Sequence, residues 1–324
     1  MAQLGPDMEH HVFARGNRHL TEFPLTRLSV LAPFGALMMS IILIIYFLIR
    51  YYILENFLLR RVYGKVYTDL DDRNRRGFLN HHIAGCTKIL ILFVAAYPFI
   101  SVAFRDANFQ TPFARGSPVK MGDMLVVAAQ MLMAMYMFEL LYRPRISPVS
   151  VIHHIGTIMI GQSAIAINLN AARQEDAGIE FVLCTVWGAF DIVAEFLPHV
   201  AMIYYRVLKH RHILLRNMFI ATSLITFAST IFETAVVMYM FGVLWYRWSL
   251  AFKIVTPILH VAFAAAQLHG SRILFLLYRK QCRFIARDRE AVIGVGDVGV
   301  GLAMDESLGE KEVVAKPIVA VQSV

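Results

Sequence analysis

Charge is scarce in this sequence. Only 17% of the 324 residues are Asp, Glu, Lys or Arg, against about 25% in an ordinary soluble domain. Cysteine is scarcer still: Cys86, Cys184 and Cys282 are the only three. An odd count, with two of them inside apolar runs, excludes a disulfide framework. No Asn-x-Ser/Thr sequon occurs, so nothing marks an N-glycosylated loop. The stretch 1–27 is polar and His-rich, which argues against a cleavable signal peptide.

What replaces charge is apolar mass. Hydrophobic residues make up 58% of the chain and the mean hydropathy is +0.57. The excess lies in long runs, more than a soluble core absorbs, so the sequence predicts an integral membrane protein. A soluble enzyme, a secreted scaffold and a nucleic-acid-binding domain are excluded as the main reading. The net charge of +8 comes mostly from basic residues between the runs. There they act as topology signals and contacts for anionic head groups, so the expected partners are membrane lipids and not nucleic acid.

A helix needs about 20 apolar residues to cross the hydrocarbon core. Seven runs qualify: Leu28–Leu54, Ala84–Phe104, Met121–Tyr142, Val149–Leu169, Ile179–Tyr205, Met218–Leu244 and Leu250–Leu277. The expected fold is therefore all-α: a polytopic bundle of about seven transmembrane helices around a central polar cavity. Tyr51-Tyr52, Tyr204-Tyr205 and Trp245 to Trp248 fit interfacial aromatic belts. Flanking Lys and Arg number 18 on one side and 9 on the other. The richer side is expected in the cytosol, with the N-terminus lumenal or external and the C-terminus cytosolic. Four segments follow: a polar N-terminal segment 1–27, a first span with its basic cytosolic loop 28–79, a transmembrane bundle 80–280, and a flexible cytosolic tail 281–324. The glycines of the tail, Gly294 to Gly301, follow no strand and open no helix. They are therefore not a nucleotide loop.

Ionisable residues at membrane depth are costly unless they pair or face a cavity. The fourth run opens on His153-His154, with Thr157 one turn later on the face of His153 and Asn168 near its end. The fifth carries Trp187, Asp191, Glu195 and His199 at four-residue steps, which predicts one polar stripe. Two carboxylates one turn apart repel, so they need protonation, a cation or an imidazole. His153 or His154 from the preceding helix is the natural partner. The sixth run adds Thr226, Thr230 and Glu233, the seventh His260 and Gln267, the third Gln130 and Glu139. Gln130 and His260, taken singly, read as interhelical hydrogen bonds. The group His153, His154, Asp191 and Glu195 exceeds what gluing helices needs. Imidazole beside carboxylate is the equipment of general base catalysis. These four are the candidate catalytic residues. Thr157, Asn168, Trp187, His199, Glu233 and His260 are the candidate substrate-binding residues.

The stretch Tyr136-Met137-Phe138-Glu139-Leu140-Leu141, then Pro148, His153-His154-x-x-Thr157, Asn168 and Asp191-x-x-x-Glu195 resembles the TLC homology domain. That domain is a multispanning family of ceramide synthases and lipid-homeostasis proteins. The resemblance covers about residues 80–280. A His-Asp pair that ceramide synthases carry between the two signatures falls on Trp187-Gly188 here. The resemblance implies a bundle around a cavity, an endoplasmic reticulum location and a role in lipid or sphingolipid metabolism. It implies a fatty acyl-CoA co-substrate and N-acylation of a long-chain amine. His153 or His154 would be nucleophile or base, and Asp191 and Glu195 would balance its charge. Arg143, Arg145 and Arg206 would meet the CoA phosphates, although each also fits the positive-inside flank. No other cofactor and no resident metal is expected.

Three other readings compete. The same fold could regulate lipid composition or bind cargo without catalysis. A seven-helix receptor fits the helix number and the N-out orientation. A zinc hydrolase could be built from His153, His199, His260 and Asp191, although no His-x-x-x-His occurs.

Overall fold

The computed structural model describes residues 27–169 and 174–302. Among them lie seven helices long and apolar enough to cross a membrane. They are α1 (Ala32–Tyr63), α2 (Asp72–Phe104), α3 (Met121–Tyr142), α4 (Pro148–Ile167), α5 (Gln174–Val207), α6 (His212–Val243) and α7 (Leu250–Leu302). Among the described residues there is no strand, only an isolated bridge between Pro112 and Lys120. The chain is an all-α, multi-pass integral membrane protein.

The surface supports this independently of helix length. Ile44, Phe93, Leu224, Phe232, Ile258 and Val261 are exposed on the outer faces. Lys88, Gln130, His153, His154, Asp191 and Glu233 are buried. A water-soluble protein does not leave so wide an apolar surface uncovered. A bilayer covers it and turns the polar groups inward, away from lipid.

Local sequence sets the helix starts. Asp71 caps α2, its side chain accepting from the Asn74 amide 3.4 Å away. Ser147 caps α4 by accepting from the Ser150 amide at 3.1 Å, and Pro148 takes the first helical position. That start places His153 and His154 in the second turn. The Lys120 amide donates to Asp123 Oδ2 at 2.8 Å at the start of α3, and Ser29 donates to the other oxygen at 2.5 Å. Within α1, Ile49–Leu58 widens into π-type turns. A five-residue spacing there brings Arg50 and Glu55 to 2.9 Å.

Helix ends differ most from expectation in two places. α2 begins at Asp72, twelve residues before the apolar run, because the basic loop is itself helical. This carries His81 and His82 onto the same helix as Lys88. At the other end of the chain, α7 runs to Leu302, so part of the expected flexible tail is helical. No proline interrupts the sequence between Pro257 and Leu302. Residues 1–26 and 303–324 lie outside the described residues.

α2 packs between α3 and α5, and α4 also lies against α3 and α5. α1 packs on α3, and α6 pairs with α7 while contacting α5. The polar residues of α2 to α5 therefore meet in the centre.

Candidate functional site

The centre is a cluster drawn from four helices. His153 on α4 turns Nε2 toward Asp191 Oδ1, 3.6 Å away, and Glu195 Oε1, 3.8 Å away, both on α5. His154, its neighbour, points elsewhere: its Nε2 is 3.7 Å from Glu139 Oε2 on α3. The divergence follows from the 100° step between adjacent helical residues. Tyr136, one turn before Glu139, lies between the two. Its ring stacks on His154 at 4.3 Å and meets His153 edge-on at 5.8 Å. Its hydroxyl donates to Asp191 Oδ2 and lies 3.3 Å from Glu195 Oε2.

The balancing cation for the carboxylates is Lys88 on α2. Its side chain has no exposed surface, and Nζ lies 2.8 Å from Glu195 Oε2 and 3.4 Å from the Asp191 carbonyl. Its place in the cluster is not marked by any sequence motif. A lone lysine five residues into an apolar run was the available signal, since a buried ammonium requires a carboxylate partner. Tyr136 was also missed as a site residue, because a tyrosine in an apolar run looks like core. Glu139 pairs with Arg143 one turn on. Arg206 donates to Asn74 at 2.7 Å. Both arginines thus have partners within the chain.

The expected stripe on α5 divides. A four-residue step over-rotates by about 40°, so Trp187, Asp191, Glu195 and His199 wind around the helix. Asp191 and Glu195 stay together. His199 Nδ1 meets His81 Nδ1 on α2 at 3.0 Å. Trp187 Nε1 donates to His260 Nδ1 at 3.2 Å, and His260 Nε2 lies 3.1 Å from Thr234 Oγ1. An imidazole that accepts at Nδ1 from an indole carries its proton on Nε2. His260 is then a neutral link between α5, α6 and α7. The zinc set His153, His199, His260 and Asp191 is therefore not assembled. The ligand-bearing atoms that do converge belong to His153, Asp191 and Glu195, all within 4.8 Å of one another.

Beside this cluster lies a cavity of 130 Å³, bordered by α2 to α7. Its walls are apolar, with Phe99, Leu132, Met133 and Phe263 among them. Its polar lining includes His153, Thr157, Thr185, Asp191, Glu233 and Gln267, with Trp187-Gly188 forming a wall. Glu233 accepts from Gln267 Nε2 at 2.8 Å. Thr157 borders the cavity while its hydroxyl donates to the His153 carbonyl at 3.0 Å. At this size the arrangement can hold a short apolar segment of about six carbons, with one polar end against an imidazole and a carboxylate.

Asn168 takes no part. It sits at the far end of α4, about 22 Å along the axis from His153. There its Oδ1 accepts from the Leu28 amide at 2.9 Å. Leu28 is fully buried, and its carbonyl lies where a Cβ on Gly122 would project. Asn168 thus ties down the segment entering α1 rather than lining the cavity.

Comparison with known proteins adds no identification: no family model, no curated protein and no solved structure matches this chain.

Proposed function

We propose that this protein is a TLC-type lipid enzyme that transfers a fatty acyl group from acyl-CoA to a long-chain amine. The observation that carries the reading is the junction of an apolar cavity with His153 and Asp191, both buried. The cavity has room for about the first six carbons of an acyl or amine chain, whose reacting end meets the imidazole. The amine nitrogen attacks the thioester carbonyl. The N–C bond forms, the C–S bond breaks, and the released thiolate takes a proton. His153 Nε2 receives the proton lost by the amine, Asp191 and Glu195 offset the resulting imidazolium, and the imidazolium passes that same proton to the thiolate. Lys88 holds Glu195 in position, and Tyr136 holds Asp191.

The cluster lies toward the ends of α3 and α4 joined by Arg143 and Arg145, on the side richer in Lys and Arg. The positive-inside rule makes that side cytosolic, where acyl-CoA is found, with the N-terminus lumenal in the endoplasmic reticulum.

The test uses purified full-length protein in liposomes, labelled long-chain acyl-CoA, and a panel of sphingoid bases and other lipid amines. Wild type should form a labelled amide, and His153→Ala should lose at least about 100-fold. A non-catalytic lipid regulator is favoured by one observation, Trp187-Gly188 in place of a His-Asp pair. No amide from folded wild-type protein with any acceptor would replace the enzyme reading with that one.

A further inference from the structure

The three convergent atoms of the cluster are held in an unusual way. Each carboxylate has one oxygen tied by a donor behind it: Tyr136 on Asp191 Oδ2, and Lys88 on Glu195 Oε2. The other oxygens, Asp191 Oδ1 and Glu195 Oε1, turn toward His153 Nε2. Asp191 Oδ1 and both ring nitrogens of His153 are buried and have no hydrogen-bond partner. His153 and Asp191 are each more than nine-tenths buried. A buried polar atom without a partner is costly. Here the unsatisfied atoms of two helices face one common point.

We infer that His153 Nε2, Asp191 Oδ1 and Glu195 Oε1 form a binding site for a divalent first-row transition ion. Zinc bound to nitrogen and oxygen ligands sits about 2.0–2.2 Å from each, so tetrahedral ligand atoms stand about 3.3–3.5 Å apart. The observed 3.6 and 3.8 Å need to close by only a few tenths of an ångström, and the two carboxylate oxygens, within 4.8 Å of each other, close by rotation of the Glu195 side chain. One imidazole with two carboxylates suits zinc, manganese or iron better than a thiol-loving ion. Lys88 and Tyr136 are the outer donors that metal-bound carboxylates commonly have. With a neutral imidazole, Lys88 balances only one of the two carboxylates, so the site carries a net negative charge that attracts a cation. Three protein ligands leave a coordination position open, and His153 and Asp191 both border the cavity.

The inference goes beyond acyl transfer and does not rest on it. A bound ion takes the Nε2 lone pair that proton removal requires. The loaded and metal-free forms are therefore distinct chemical states of one site.

The experiment measures binding without any lipid substrate. Full-length protein in detergent is stripped with a chelator and titrated with Co²⁺, followed by its visible d–d absorption, then displaced by Zn²⁺. Wild type should saturate at one ion per chain. Asp191→Asn and His153→Gln should weaken binding at least tenfold, and Tyr136→Phe about tenfold through the outer donor. His212→Ala, which loses a bond to Gln281 and a ring contact with Phe284 on α7, both away from the cluster, should bind as wild type does. Absence of a saturable signal in folded wild type would overturn the inference. Unchanged affinity in His153→Gln would also overturn it, whatever the folding of Asp191→Asn. Neither result bears on amide formation, which is assayed separately.

Discussion

Lys88 Nζ and Glu195 Oε2 lie 2.8 Å apart, joining α2 to α5 through an ammonium with no exposed surface. Removing one partner of a buried pair leaves the other charge desolvated and unpaired, at a cost of about 3–5 kcal/mol. Lys88→Met should therefore lower the unfolding midpoint in detergent sharply. Adding Glu195→Gln should restore part of the loss. An unchanged midpoint in the single variant would show that the pair is not formed.

Trp187 and His260 make a second, quieter link. Trp187→Phe leaves His260 Nδ1 without its donor and should destabilise the bundle by about 1–2 kcal/mol. The expected signature is lower stability with metal binding nearly intact, since Trp187 touches none of the three ligand atoms. A loss of metal binding at full stability would return His260 to the site.

Asn168→Ala should loosen the segment before α1, read as faster proteolysis near Leu28, and leave the His153 cluster undisturbed. An altered Co²⁺ spectrum in that variant would contradict the separation of the two ends of α4.

The start of α2 responds to pH through Asp71. The Asn74 side chain, donating to it, holds the carboxyl below the usual carboxylate range. A lowered folded value stabilises the helix above the unfolded carboxylate range, near pH 4. That contribution disappears as pH falls through the folded value. Asp71→Ala should cost about 0.5 kcal/mol at neutral pH, the low end for a cap, because the position is exposed. The difference from wild type, followed by unfolding, should shrink on acidification. A constant difference would rule the cap out as its source.

The seven spans were legible because length and hydropathy alone decide whether a helix crosses a membrane. His153, Asp191 and Glu195 were legible because charge at that depth requires a partner. What could not be read was which partner each would find. His153 and His154 are adjacent in sequence, yet they face different carboxylates on different helices. Trp187 and His199 share the spacing of Asp191, yet helical over-rotation sends them to α7 and α2. Lys88 and Tyr136 belong to the site through packing of α2 and α3 against α5, which no local pattern encodes. The extra turns of α2 escaped notice because its first three turns are polar.

One comparison of rates tests the catalytic role of the buried cluster most directly. Single-turnover amide formation from labelled acyl-CoA and a sphingoid base would be followed in wild type, Asp191→Asn and His212→Ala, each checked for folding. The cluster beside the cavity predicts a fall of about 100-fold or more in Asp191→Asn, and a rate near wild type in His212→Ala. Equal rates in all three would contradict a catalytic role for the buried carboxylate.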